Sequence, residues 1–276
     1  MESGNSLASS RMLTGPSSGL AAYAPAIHAA SGFDMAHMAY QPGRDQPDNC
    51  GIYIADIVSG TYAFGAIMAA LAQRHLSGWG QHIDVSMLET MLTLMVGEVQ
   101  SAQFPVAPPG RPMFGPVRPG DGFIMPAVAS EKTFQSLCQA AGHPEWIEDA
   151  RFARYSDRRN HWGVFVDLLE VWSTTLTTAE CQAAFDAAGV PSSPYRTVKE
   201  VLDDPRLAHL GALAEVHDKG GTFKVVNPPF RLSAAPVQVA GFSASLGEHT
   251  RDVLERAGYA ADEIERMSAG GVVGLG

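Results

Sequence analysis

The strongest chemical signal in the sequence is a single carboxylate. Asp56 follows the apolar run of residues 51–55 (GIYIA), read as a short strand, and opens a strongly helical pattern. Aspartate is among the best helix N-caps, worth ~1 kcal/mol, so capping alone accounts for it. The same junction of strand and helix is where α/β folds collect ligands, and amides at a helix start stabilise negative charge there. The two roles are compatible, and position alone leaves both open.

Other chemistry-bearing residues are weaker candidates. His82 and Asp84 share one face of a strand-like segment, but two ligands do not make a metal site, and a solvent-facing pair accounts for them. Cys50 has no adjacent histidine to activate it and reads as packing. His28 and His37 flank Gly32, where a structural role suits them better than acid–base work. Gly78-Trp79-Gly80 begins like a dinucleotide loop, yet the third glycine is missing and a strand follows, so it reads as a turn. No HExxH zinc motif occurs.

The elements that position these residues follow from periodicity. Ile57, Phe64, Met68 and Leu71 recur at helical spacing, and Ser77-Gly78 supplies a stop. Residues 81–85 alternate as a strand. Ser86, with Glu89 three places on, has the capping-box spacing for a helix bearing Leu88, Met91, Leu92 and Met95. Helix, short strand and helix in succession predict an α/β protein. Upstream, residues 23–38 read as close-packed helix and turn broken at Gly32, and residues 40–50 as an exposed loop. Residues 1–20 read as a loose, Ser/Gly-rich arm. Six prolines in residues 105–120 mark a linker. Beyond it come a strand near 122–128 and helices near 131–141, 161–174 and 178–188. This helix-rich block holds Trp146, Trp162 and Trp172, three of the four tryptophans, and reads as a separate small domain closed by Asp204-Pro205. Strand-like runs return after residue 212. Ser245 and Glu248 give a second capping-box spacing before a helix from His249 to Gly258.

Composition narrows the function classes. The 276 residues are 46% hydrophobic and 17% charged, enough for one large domain or two modest ones. Lys plus Arg number 19 against 29 Asp plus Glu, a net charge of -10, which argues against a nucleic-acid partner. An anionic ligand would have to be held by helix N-termini or a few arginines. No uninterrupted apolar run approaches the ~20 residues of a membrane helix, so no membrane partner is expected. The N-terminus lacks the apolar core of a signal peptide, and a cytoplasmic location is expected. Cys50, Cys138 and Cys181 are far apart without CxxC spacing, as expected of reduced, mostly buried thiols, not a disulfide frame or metal site.

Several segments together resemble one family. Asp56-Ile-Val-Ser-Gly60, the run Ala69-Ala-Leu-Ala-Gln-Arg74, and Gly78 through Glu89 (GWGQHIDVSMLE) resemble the family III CoA-transferases, the CaiB/BaiF group. So do Gly142-His-Pro-Glu-Trp146, Gly189-Val-Pro191, Asp204-Pro205, Asn227 through Ser233 (NPPFRLS) and Leu246 through Thr250 (LGEHT), with Val253-Leu254. The group includes formyl-CoA transferase, carnitine CoA-transferase and the α-methylacyl-CoA racemases. The resemblance runs from about Thr14 onward.

It implies an incomplete Rossmann-like large domain plus a smaller helix-rich α/β domain in an interwoven dimer. On that plan residues 21–104 and 206–276 form the large domain and residues 121–205 the small one. The family's nucleophilic aspartate falls on Asp56. The implied substrates are an acyl-CoA thioester and a carboxylic acid, with no tightly bound cofactor and no metal. Family members carry an N-terminal strand–helix portion ahead of the segment matched here, so the expected assembly is a homodimer or a heteromer with a chain that supplies that portion. Two departures bear on activity. Where the racemases carry an acid–base histidine this chain has Tyr23, which counts against racemisation because two proton carriers are needed at the stereocentre. Ala24 stands where an acidic residue is usual. A non-catalytic partner subunit and a 2-methylacyl-CoA racemase are therefore the alternatives to a CoA-transferase.

Overall fold

A computed structural model describes residues 9–11, 22–41, 43–104 and 114–276, the first three by backbone alone. Most of the proposed N-terminal arm and residues 105–113 of the proposed linker lie outside the described residues. The chain divides into two compact units, Met1–Pro194 and Tyr195–Gly276.

The first unit opens with β1 (Ser9–Arg11), α1 (Ala24–Ser31) and α2 (Phe33–Ala39). Pro25 lies in the first turn of α1, where its missing N–H is not needed, and Gly32 turns the chain between the helices at φ +85°. Then come the 24-residue α3 (Ile54–Ser77), β2 (Asp84–Ser86), α4 (Met87–Leu94) and α5 (Val96–Ser101). The two sequence signals flanking this stretch are realised. Gly78 closes α3 in the left-handed conformation with its N–H on the Arg74 carbonyl, and the Ser86 hydroxyl accepts the Glu89 N–H at 3.3 Å. Helices α1, α3 and α4 meet around Ala24, Ile27, Ala55, Met87 and Met91. β1 runs parallel to β2 with Ser9 opposite Asp84, and among the described residues this is the only parallel pair of strands.

Two expectations are corrected here. Residues 51–53 form a bend, not a strand, and the helix begins at Ile54, because the Ala55 side chain packs into the core and carries the first turn with it. The apolar spacing of α3 also does not mark its buried face. Its buried residues are Ala55 and Ser59, while Ile57, Phe64, Met68 and Leu71 are 41–62% exposed. By length and composition α3 could cross a bilayer. The glycines and hydroxyls that interrupt the apolar run do not end the helix, and Thr61 turns its hydroxyl back onto the Ile57 carbonyl at 3.0 Å.

The rest of the first unit holds β3 (Ile124–Pro126), α6 (Glu131–Ala140), a 3-10 turn at Pro144–Ile147, α7 (Tyr155–Asn160), α8 (Trp162–Ser173), α9 (Thr178–Ala188) and β4 (Ser192–Pro194). β3 and β4 pair antiparallel. The core here is aromatic: the Phe165 ring meets Phe134, Trp146, Phe152 and Trp162 at centroid distances of 5.1–5.5 Å. Arg158 is 1% exposed and is satisfied by the Phe152 carbonyl, the Glu131 carboxylate and the face of Phe134. Burial pushes the Cys138 thiol up to about 12, so it stays protonated and unreactive, whereas Cys50 is only half-buried.

The second unit holds α10 (Val198–Leu202), α11 (Pro205–His209), the antiparallel hairpin of β5 (Leu213–Asp218) and β6 (Gly221–Val226), α12 (Thr250–Arg256) and α13 (Ala261–Ala269). Asp204 caps α11 through the Arg206 N–H at 2.9 Å and pairs with the guanidinium groups of Arg206 and Arg196. The side chain of Arg206, then that of Arg196, then the Arg206 amide hold its carboxyl well below the usual carboxylate range. A folded-state pKa below the unfolded value contributes stability above the unfolded value that is lost as pH falls through the folded one. Asp204→Asn keeps the cap acceptor but removes the charge. Its urea midpoint should lie below that of the unsubstituted protein at pH 7, with the gap closing below about pH 4. A gap that stays constant down to pH 2 would show that the charge plays no part.

Candidate active site

The segment entering α3 is shaped by short local bonds. The Asn49 side-chain oxygen accepts the Gly51 N–H at 2.8 Å, Gly51 takes φ +70°, and the Ile54 N–H meets the Ile52 carbonyl at 2.9 Å. Tyr53 occupies the N-cap position and makes no side-chain capping bond. Asp56 is therefore not the cap: it is the third helical residue. At that position its charge still complements the positive end of the helix dipole.

Each of the first four amides of a helix lacks an intrahelical partner. In α3 these run from the N-cap Tyr53 to Asp56: Ile54 uses the Ile52 carbonyl and Ala55 the His28 imidazole at 3.2 Å, while Ile57, bonded to the Tyr53 carbonyl at 3.2 Å, makes the first intrahelical bond. The Asp56 amide meets no acceptor among the described residues, and its exposed carboxylate takes no hydrogen bond or ion pair from them. The arrangement is an exposed carboxylate at a helix start whose own N–H donor meets no acceptor among the described residues. Such a pair can attack an electrophilic carbonyl and help stabilise the resulting oxyanion.

Most of the other singled-out residues are not brought to Asp56. Tyr23 takes the N-cap position of α1 and is 71% exposed, and Ala24 is buried in the core. His37 pairs with Gln41 at 2.9 Å and stacks on Phe33. His82 and Asp84 are exposed, and no group of three or more metal-ligand side chains forms among the described residues. Cys50 donates weakly to the Ile52 carbonyl. Two open clefts lie in the second unit around Ser245, Glu248 and His249, and Asp56 lines neither. His28 is the exception. Its bond to Ala55 joins α1 to the start of α3, a contact across 27 positions that no local pattern signals.

The family profile of CoA-transferase family III matches residues 11–250, and the chain belongs to that family. Among its relatives is a succinyl-CoA–D-citramalate CoA-transferase from Chloroflexus aurantiacus, 32% identical over 82% of this chain and 59% of the relative. A succinyl-CoA:glutarate CoA-transferase from Mus musculus is 26% identical over 94% of this chain and 61% of the relative. A crystal structure of a CaiB/BaiF family protein from Brucella suis superimposes with a TM-score of 0.73 at 26% identity, covering 90% of this chain and 67% of that one. The chain thus spans about three fifths of the length of the relatives it matches.

Because the Asp56 carboxylate is exposed and unpaired, its replacement should leave the fold intact. Asp56→Asn is expected to change unfolding free energy by no more than about 1 kcal/mol, the scale of a charge–dipole interaction in a first turn. Urea unfolding measures it. A loss of several kcal/mol would give Asp56 a structural role.

Proposed function

We propose that the chain is a CoA-transferase that moves CoA between an acyl-CoA thioester and a carboxylic acid, with Asp56 as the nucleophile. The observation that carries this reading is the unpaired, exposed carboxylate in the first turn of α3, beside an open amide, in a chain of CoA-transferase family III. The named activities of the relatives, exchange between succinyl-CoA and another dicarboxylic acid, support the substrate class.

The steps balance without a cofactor. An Asp56 oxygen attacks the thioester carbonyl carbon, the C–S bond breaks, and CoA leaves as the thiolate, so a mixed anhydride joins the acyl group to Asp56. The thiolate attacks the Asp56 carbonyl carbon and displaces the first acid as its carboxylate, leaving an aspartyl-CoA thioester. The acceptor carboxylate attacks that thioester, regenerating thiolate and a second anhydride. Attack of the thiolate on the acceptor's acyl carbon gives the new thioester and frees Asp56. The open amide and the positive end of α3 favour the oxyanion formed at each attack. With a net charge of -10, electrostatic steering of an anionic thioester is not supplied by the chain as a whole, and binding falls to such local donors.

The outward apolar face of α3 supports assembly with further polypeptide, in a homodimer or with a different chain. A two-stranded parallel sheet supports the same reading, since parallel sheets are ordinarily buried on both faces and extended by more strands. The large-domain and small-domain plan, the interwoven dimer and a cytoplasmic setting belong to this proposal.

The test is to incubate the protein, purified with its co-purifying partners, with a panel of acyl-CoA thioesters and quench with hydroxylamine. A hydroxamate on the Asp56 peptide is expected, identifying nucleophile and donor together. An unmodified peptide in an active, partner-containing preparation would instead favour a non-catalytic subunit.

A further inference from the structure

We propose that His28 is a positioning residue for Asp56, its buried imidazole fixing the first turn of α3 and so the direction of the carboxylate. This rests on the reading of Asp56 as nucleophile.

The need for such a residue follows from burial. Ala55 is fully buried, so water cannot satisfy its amide, and a buried N–H must find an acceptor. The N-cap residue, Tyr53, offers none from its side chain. His28 reaches across from α1 and supplies Nε2 at 3.2 Å. The bond falls on the residue immediately before Asp56.

The choice of histidine also needs a reason. An imidazole nitrogen that accepts carries no proton, so the proton of this ring is on Nδ1. That atom is buried and meets no partner among the described residues. An orphaned buried donor is unfavourable, and leucine or phenylalanine would fill the space beside Phe33 without one. What histidine adds here is the acceptor aimed at Ala55. Ala55 is the one fully buried residue of the first turn of α3, with Ile54 packed against the same cluster, so the bond to the Ala55 amide acts where that turn is anchored.

The test uses the full chain with its co-purifying partners and the variants His28→Leu, His28→Gln and Asp56→Ala. Leucine keeps volume and removes the acceptor, while glutamine keeps an acceptor oxygen. His28→Leu should lower kcat about tenfold or more with KM for the thioester within about twofold, the pattern of lost transition-state alignment. Hydrogen exchange at the start of α3 should rise in this variant while exchange in α6, α8 and α9 stays unchanged. His28→Gln should restore most of the lost kcat. Unaltered kcat in His28→Leu despite faster exchange at α3 would overturn the proposal, as would a glutamine variant as slow as the leucine one. Should both variants unfold, 15N NMR of the unsubstituted protein decides: a His28 ring protonated at Nδ1 is expected, and one protonated at Nε2 contradicts it. Full turnover by Asp56→Ala would remove the nucleophile itself, an outcome separate from any result at His28.

Discussion

The first turn of α3 is anchored to its own unit at Ala55, with Ile54 packed beside it. Of 24 residues only Ala55 and Ser59 are buried, against α1 and α4, and the amide of one of them ends on an imidazole from α1. Everything proposed for the chemistry depends on that anchor, because Asp56 is the next residue. A helix start is rigid when its amides are satisfied by fixed acceptors and mobile when water satisfies them in turn. Here the Ile54 and Ala55 amides have fixed acceptors, and that of Asp56 meets none among the described residues. An anchored residue thus immediately precedes an unused donor, which suits the role proposed for Asp56 in attacking a carbonyl and stabilising the charge that forms.

Local signals in the sequence were largely legible. The Ser86 cap, the Gly32 and Gly78 turns, the helix over residues 178–188 and the strand runs after residue 212 all depend on neighbours within a few positions, and all are realised. Asp56 was picked out for its place at a helix start, and the resemblance of the flanking segments to family III pointed to the same residue. What the sequence misplaced were features set by distant contacts. The helix begins before Asp56 because Ala55 packs beneath α1. The buried stripe of α3 is small residues, not its large apolar ones, because close approach to α1 and α4 favours Ala and Ser. The bond from His28 to Ala55 could not be read at all, since neither residue type nor spacing marks it.

The outward side of α3 is apolar and exposed. Ile57, Phe64, Met68 and Leu71 would be costly to leave in water along one helix, and β1 and β2 alone are too short a parallel pair to be stable unaided. By contrast, the aromatic core around Phe165 is closed by its own helices and by the satisfied Arg158. The chain therefore joins a packed aromatic region to one that leaves apolar surface exposed, which supports the proposed assembly with further polypeptide. Length and hydropathy alone would also allow α3 to span a bilayer. Membership of CoA-transferase family III and an anchored first turn make a packing surface the better account of its apolar side.

The nucleophilic role proposed for Asp56 requires an oxygen atom to pass between the acceptor acid and the aspartate, which no non-covalent mechanism does. With an acceptor carboxylate labelled with 18O in both positions, the second anhydride breaks so that one labelled oxygen stays on Asp56. Mass spectrometry of the peptide carrying Asp56 should show a gain of one 18O in place of 16O after a single turnover, rising towards two as turnover continues. Continued turnover with an unlabelled peptide, all label remaining in the acceptor and its thioester, would contradict the account.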